Sequence, residues 1–338
     1  MTRAELVQAT LLALTRQNVT RWGGEGYLYT SEFVVRPQTY YSSVTLYMTQ
    51  SAPGAVTIDW GDGSAPVSPD TSGSITPHHV YQVLDTEYTI RVTCKEGESW
   101  TIESNAYYGF LYTGGKIILV KASIRRGVTS IAIGAFRNYN DKFTSLELMD
   151  ALDLTSIGIE AFKDSSITGS LILPSGITSI GYKAFENCPG LTGRLVLPNG
   201  ITSIGINTFS ACEFSGSLVI PDGVTSIGNY AFSEGKYTHA EMSNALTSIG
   251  VGAFYGCREL DSIEIHENVT SIGNGAFQDC GNLSSLICEA LAPPTIGSST
   301  LYTGTSTTVF VPAASVNAYK AAQYWQSWGA DIQPIPTN

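Results

Sequence analysis

Four histidines (His78, His79, His239 and His266) and six cysteines (Cys94, Cys188, Cys212, Cys257, Cys280 and Cys288) are the side chains of this 338-residue chain best suited to act as bases, nucleophiles or metal ligands. A serine or cysteine nucleophile needs a base in hydrogen-bond reach and a third group to orient that base. No G-x-S-x-G elbow occurs, and no histidine sits in a recognised catalytic motif. Structural zinc sites read as C-x-x-C pairs completed by further Cys or His. No such pair is present and no histidine completes the spacing, so neither a metal nor a cofactor is expected. Phosphate loops of the G-x-G-x-x-G kind are absent too, and the glycines are explained by turns. Two carboxylates converging for glycoside hydrolysis have no fixed spacing to read, and no acidic motif singles out such a pair. The chain is expected not to be an enzyme.

What remains is structure that presents a surface. Charged residues make up only 14% of the chain, while 34 glycines and 14 prolines make turns frequent, a composition that suits β-rich architecture. A formal net charge of -11, with no basic cluster longer than Arg125-Arg126, would repel phosphate backbones, so nucleic acid is excluded as an expected partner. No segment approaches the length of apolar sequence needed to span a bilayer. Met1 to Gln17 has a broken apolar run and no small-residue cleavage site, so export is expected either without a leader or after its removal.

Along the chain, Thr2 and Glu5 stand in capping-box spacing, and Leu6, Val7, Thr10, Leu11 and Leu14 share one helical face. Residues 1–26 are therefore expected to hold an amphipathic helix, which packs on the next unit or docks the protein onto a partner or larger assembly. From 27 to 105 the alternating strings VTLYM, AVTIDW and EYTIRVTC predict strands of a small β-sandwich. There the string Asp59-Trp60-Gly61-Asp62-Gly63-Ser64, with His79 and Tyr81 further on, resembles the turn motifs of PKD-like immunoglobulin-type domains. The two aspartates could hold a cation; the resemblance implies instead that they form turns by accepting backbone hydrogen bonds.

Beyond Gly115 the string Ser-Ile-Gly-x-x-Ala-Phe-x-x-Cys returns again and again. Its phenylalanines are Phe136, Phe162, Phe185, Phe209, Phe232, Phe254 and Phe277, at steps of 26, 23, 24, 23, 22 and 23 residues. A period between 20 and 29 with Leu or Ile at alternate strand positions marks a leucine-rich-repeat solenoid, in which each unit covers its neighbours' apolar face. Strand triplets of the Leu-x-Leu type place their outer residues in the core and their middle residues outward. Those middle residues are Glu147, Ile172, Val196, Val219, Glu241, Glu264 and Ile287. Ile172, Val196 and Val219 would form an apolar stripe about 10 Å long at the rung spacing of a sheet, flanked by Glu147, Glu241 and Glu264. The stripe is the candidate ligand-binding site, unless a loop or the other unit covers it. Cys188, Cys212, Cys257 and Cys280 each follow a ladder phenylalanine by three places and read as buried free thiols, with disulfides between rungs as the alternative.

The array, clearest at SIGNGAFQDCGNL, resembles the BspA-like, treponemal-type leucine-rich repeats of microbial surface proteins. That resemblance implies a mainly β solenoid over 116–308 and binding to proteins, glycans or cells, not catalysis. It implies an extracellular or cell-surface location. The closing segment 309–338 would be a strand (Val309 to Val311) and a capping helix holding Tyr319, Tyr324, Trp325 and Trp328. The stretch SEGKYTHAEMSNAL departs from the pattern, and a functional loop is expected there. A phage virion or other assembly appendage, docked through the N-terminal region, is the alternative function.

Overall fold

A rung of some two dozen residues is too small to cover its own leucines, isoleucines and phenylalanine, so identical positions in the rungs on either side must do it. The computed structural model describes residues 29–37, 43–83, 86–104, 111–113, 117–139, 143–148, 150–300, 307–326 and 331–336. The helix expected over 1–26 lies outside the described residues, as do Leu301 and Trp328.

Each rung gives one short parallel strand to each of two faces. On the first face Leu171–Ile172 pairs with Leu195–Val196, and Ser215–Val219, Lys236–Glu241, Ser262–Ile265, Ser285–Cys288 and Thr308–Val311 form a separate sheet. On the second face the Thr-Ser-Ile segments from Ser203–Ile204 to Thr295–Ile296 form one sheet, while Val128–Ile131, Ser156–Ile157 and Ser179–Ile180 belong to another. Register is without offset, Ile227 opposite Ile249 and Ile249 opposite Ile272, so like stacks on like. All seven repeat phenylalanines are fully buried, with successive ring centroids 5.0–5.7 Å apart and ring planes within 20° of parallel.

Polar side chains are recruited to the same stacking. The threonine before Ser-Ile donates its hydroxyl to the backbone carbonyl of its counterpart one rung earlier, at 2.9–3.4 Å, in five places from Thr155 to Thr270, and Thr295, at the serine position, donates to the Thr270 carbonyl at 3.3 Å. Cys188, Cys212, Cys257 and Cys280 donate their thiols to the carbonyl of the phenylalanine one rung back, at 3.0–3.2 Å. All six cysteines are buried, and each stands as a free thiol in this structure. Ser165, at the same position of its rung, donates instead to the Phe162 carbonyl of that same rung at 2.6 Å.

Two backbone features let the rungs approach. The residue two places after each ladder phenylalanine is left-handed in seven rungs, with Asn138, Asp164, Asn187, Ala211, Glu234 and Asp279 at φ 54–65° and Gly256 at φ 69°. That turn aims alternate N–H groups along the stack, as when Asp164 N donates to Glu186 O at 2.9 Å. The glycine after Ser-Ile answers a different need, because a Cβ on Gly228 would lie 2.7 Å from the carbonyl carbon of Gly205 in the preceding rung. Gly228→Ala is expected to cost about 1–3 kcal/mol through forced separation of rungs, measured as a lower denaturant midpoint with unchanged slope.

The stretch SEGKYTHAEMSNAL is not a loop. Lys236–Glu241 is a six-residue strand paired in parallel with Ser215–Val219 and Ser262–Ile265. The missing cysteine is replaced by a ring: Tyr237 is buried and meets Phe232 edge-on at 5.9 Å. Gly235 is required beside it, since a Cβ there would overlap the Tyr237 ring. The phenylalanine column therefore continues through this rung without a break.

Two of the three sheets formed by the N-terminal strands join solenoid strands edge to edge, the third being His78–Val80, Ser43–Leu46 and Leu111–Thr113. One sheet runs in the order Ser145–Glu147, Ile117–Ser123, Tyr29–Pro37, Tyr88–Cys94, Val56–Asp59. The other runs Ser179–Ile180, Ser156–Ile157, Val128–Ile131, Trp100–Ile102, Met48–Gln50, Gly73–Ile75. Both sheets thus contain strands from either side of the boundary expected at 105–116. Phe33 from one sheet meets Trp100 from the other edge-on at 6.5 Å, and a single buried cluster continues from Phe33 to Ile332. The first rung is covered by this unit, which removes the exposed apolar end that an array otherwise presents.

At the other end the cap differs from expectation. The helix is only Val316–Ala321 and holds Tyr319; Ala322 is extended and Tyr324 left-handed at φ 67°, so Tyr324 and Trp325 lie beyond it. Trp325 packs edge-on against Tyr319 at 5.0 Å and donates its indole N–H to the Pro294 carbonyl at 2.8 Å. A further strand, Ile332–Pro334, then joins the sheet of the first face beside Thr308–Val311. Ile332 is buried, and Pro334, which has no N–H, stands on this last strand.

Candidate functional site

Alternation along the Leu-x-Leu strands fixes which side chains face outward. In the third rung Leu171 and Leu173 are buried while Ile172 between them is half-buried, and the fourth repeats this with Leu195, Val196 and Leu197. Ile172 lies opposite Val196. Val219 lies opposite Glu241, Glu241 opposite Glu264, and Glu264 opposite Ile287. Within each of these two runs of strands, the outward residues expected from sequence form a file. Val219, 37% exposed, is the most open of its apolar members.

The file continues further than the sequence reading took it. Ile287 lies opposite Phe310 and Phe310 opposite Gln333. Phe310 is half-buried between the buried Val309 and Val311, so the same alternation within TVFV was signal enough to find it.

The carboxylates of the file are not equivalent. Glu147 sits 2.6 Å from Lys121 and 3.6 Å from Arg125, on and just after the strand Ile117–Ser123 that pairs with the N-terminal strand Tyr29–Pro37. Burial alone would raise its carboxyl, but hydrogen bonds from Lys121 and Ser123 and the charge of Arg125 outweigh it and hold the group below the usual range. Glu147 therefore ties the first rung to the N-terminal unit. Glu241 and Glu264 have no ion pair among the described residues.

A cleft of about 420 Å³ opens on a neighbouring face, lined by Glu213, Glu234, Lys236, Tyr255, Arg258 and Glu259. Lys236 pairs with Glu213 at 2.6 Å across one rung. Residues of the departing stretch do line it, although as a turn and strand rather than as a loop. Further exposed apolar side chains went unseen in the sequence, at the residue after Ser-Ile-Gly or Ser-Ile-Ala in three rungs, where Ile133, Tyr182 and Ile206 are between 48% and 59% exposed. Their signal was the repeat position itself.

Elsewhere the polar clusters are structural. Asp59 and Asp62 accept hydrogen bonds from the backbone N–H of Gly61 and Ser64 at 2.9 and 3.1 Å, and Asp62 meets His79 Nε2 at 2.7 Å. His79 stacks on the buried Trp60, and the Tyr81 hydroxyl donates to the Trp60 carbonyl. His239 Nδ1 lies 3.2 Å from the Ser262 hydroxyl, which is also 2.8 Å from Asp261. A hydrolytic triad needs the imidazole between acid and hydroxyl; here the hydroxyl is in the middle, so the histidine is not oriented to activate it.

His266 and Glu289 form a pair that the sequence reading missed, with His266 Nδ1 2.9 Å from Glu289 Oε2. They stand 23 residues apart, one repeat period, which is the arithmetic that places them side by side.

A family model described as a BspA type leucine rich repeat region, in six copies, matches residues 129–236 and 187–308. Together the matches span 129–308, or 180 of the 338 residues. A crystal structure of a leucine-rich repeat protein from Bacteroides ovatus is 22% identical, with a TM-score of 0.40, over 62% of this chain and 58% of that one. A leucine-rich cell surface protein from Faecalibacterium prausnitzii is 24% identical, with a TM-score of 0.42, over 61% of this chain and 63% of its own. The pneumococcal vaccine antigen PcpA is 14% identical, with a TM-score of 0.31, over 75% of this chain and 85% of that one. The chain thus spans less than two thirds of the first two proteins. No curated protein matches it.

Proposed function

The chain belongs to the BspA-type leucine-rich repeat family, and from that premise we propose that it is a non-catalytic binding protein that recognises a protein or glycan on a cell surface through the outward side of its first solenoid face. The observation that carries this reading is the outward file itself. Ile172 and Val196 face each other in one pair of strands, and Val219 opens the next run, where Glu241 and Glu264 follow as carboxylates without ion pairs among the described residues. An apolar patch rimmed by unneutralised charge is the make-up of a recognition surface rather than of a core. A rigid stack suits the task, because the ladders fix the face before a ligand arrives and little ordering remains to be done on binding.

The family resemblance supports an extracellular or cell-surface location, and no helix among the described residues is long and apolar enough to cross a membrane. The N-terminal unit is assigned as a PKD-like sandwich, supported by the Asx-type turns at Asp59 and Asp62. In this reading it caps the array and sets it off from whatever anchors it.

The test uses the fluorescently labelled full chain on epithelial cell monolayers and on a glycan array. Saturable binding to either is expected. Absence of saturable binding to both, or hydrolysis of an arrayed glycan, would overturn the reading.

A further inference from the structure

We propose that Glu264, His266 and Glu289 form a binding site for a transition-metal dication, of the zinc type, on the solenoid surface. One ligand atom from each of the three lies within 4.8 Å of those of the other two. Bonds from zinc to imidazole nitrogen and carboxylate oxygen are about 2.0–2.2 Å, so ligands around one ion sit some 3–4 Å apart. Small side-chain rotations close that gap.

The backbone that carries the three is already fixed. Glu264 is the outward residue of the strand Ser262–Ile265, and His266 follows two places on, so both project to the same side. The next rung supplies Glu289, whose backbone N–H donates to the Ile265 carbonyl at 2.9 Å, between the two other ligands. A sheet hydrogen bond thus locks the spacing between the ligand-bearing segments. Spacing by two residues along a strand and by one period across rungs is a metal-site pattern that C-x-x-C or H-x-x-x-H searches do not detect.

Charge points the same way. Two carboxylates share this corner, and Glu241 stands opposite Glu264 one rung away. Among the described residues, the one close contact of these four side chains with an oppositely ionisable group is the internal pair of His266 and Glu289. No lysine or arginine among the described residues pairs with Glu241, Glu264 or Glu289. Gathered negative charge without a cation, next to an imidazole, is a mixed nitrogen and oxygen set of the kind that suits zinc, cobalt or nickel, whereas calcium takes oxygen ligands only. All three side chains are half-buried, so coordination positions stay open toward solvent for an anionic group of a ligand. The site does not depend on the binding function proposed above, since it is read by the metal alone.

The experiment is a titration of the metal-stripped full chain with Zn2+ by calorimetry, and with Co2+ by visible absorption. One ion per chain is expected, with a nitrogen-ligated Co2+ spectrum. His266→Ala and Glu264→Gln are each expected to weaken Zn2+ by at least about tenfold. Glu264 has no partner to lose, so its variant keeps the fold and serves if His266→Ala does not. No binding at millimolar Zn2+, or binding in both variants as tight as in the parent, would overturn the proposal, the latter because the ion would then be held by diffuse acidic charge.

Discussion

Phe209→Ala is expected to destabilise the protein by about 3–5 kcal/mol and to divide its unfolding into two transitions. The ring is fully buried and lies between Phe185 at 5.6 Å and Phe232 at 5.7 Å, with Phe214 edge-on at 6.2 Å. Truncation removes the transfer energy of the ring and leaves a void that flanking rungs cannot fill, because their spacing is set by sheet hydrogen bonds. In an array whose stability is a sum of rungs and nearest-neighbour interfaces, a weakened central rung uncouples the halves on either side. Phe277, with one stacked ring neighbour among the described residues, is the control, and its truncation is expected to fray the end without splitting the transition. Denaturant unfolding followed by circular dichroism distinguishes the two variants. A single transition with a loss below about 1 kcal/mol in Phe209→Ala would mean the column is not a unit of stability.

Stability is also expected to fall steeply above pH 9. Burial pushes the Cys94 thiol up to about 11, helped by the charges of Glu98 and Asp153, and burial pushes Cys280 up to about 12. Cys212, Cys257 and Cys288 are raised by burial as well. An unfolded thiol ionises near 9.0, while the folded one keeps its proton to higher pH. Between those values the unfolded chain binds fewer protons, so each such group removes roughly 1 kcal/mol of stability per pH unit. Cys188, held below the usual thiol range chiefly by its hydrogen bond with Cys212, opposes them in part, and the raised thiols outnumber it. Below 9 both states are protonated and the contribution is complete. Unfolding free energies measured in reductant across this range should show the slope, and Cys257→Ser should lessen it, since serine keeps a donor for the Phe232 carbonyl, as Ser165 does in its own rung. A flat profile from neutral pH to 11 would contradict the buried-thiol ladder.

The parts of the fold that were legible in the sequence are those whose cause is local or periodic. The phenylalanine, isoleucine and cysteine columns follow from the period, because zero-offset stacking places a residue on its counterpart in the next rung. Strand pairing between distant segments has no such signature. Ile117–Ser123 lies antiparallel to Tyr29–Pro37 and parallel to Ser145–Glu147, and nothing within those strings names either partner. The rung at Phe232 misled because its core is completed by a different chemistry: Tyr237 arrives from two residues beyond the usual position, and Gly235 makes room for its ring. At the carboxyl end, apolar spacing suggested one long helix, but Trp325 is held by a hydrogen bond to Pro294, a long-range contact invisible to periodicity. Among the candidate site residues, outward direction was legible from alternation, whereas partnering was not. Glu147 reads like Glu241 and Glu264 in the sequence, and only the fold brings Lys121 and Arg125 to it. His266 and Glu289 were within reach of the same period arithmetic that found the phenylalanines.

Recognition through the outward file is tested most directly by Val219→Asp, measured for both fold and binding. The side chain is 37% exposed at the junction of the apolar and acidic stretches. A carboxylate there places a charge in the centre of the patch without opening the core, so the change in stability should stay within about 0.5 kcal/mol. Saturable binding to the cell monolayer or the arrayed glycan should weaken by roughly tenfold or more, the loss expected of a central contact. A variant that binds as the parent does would place recognition elsewhere on the molecule, and a variant that unfolds would show that the face is core.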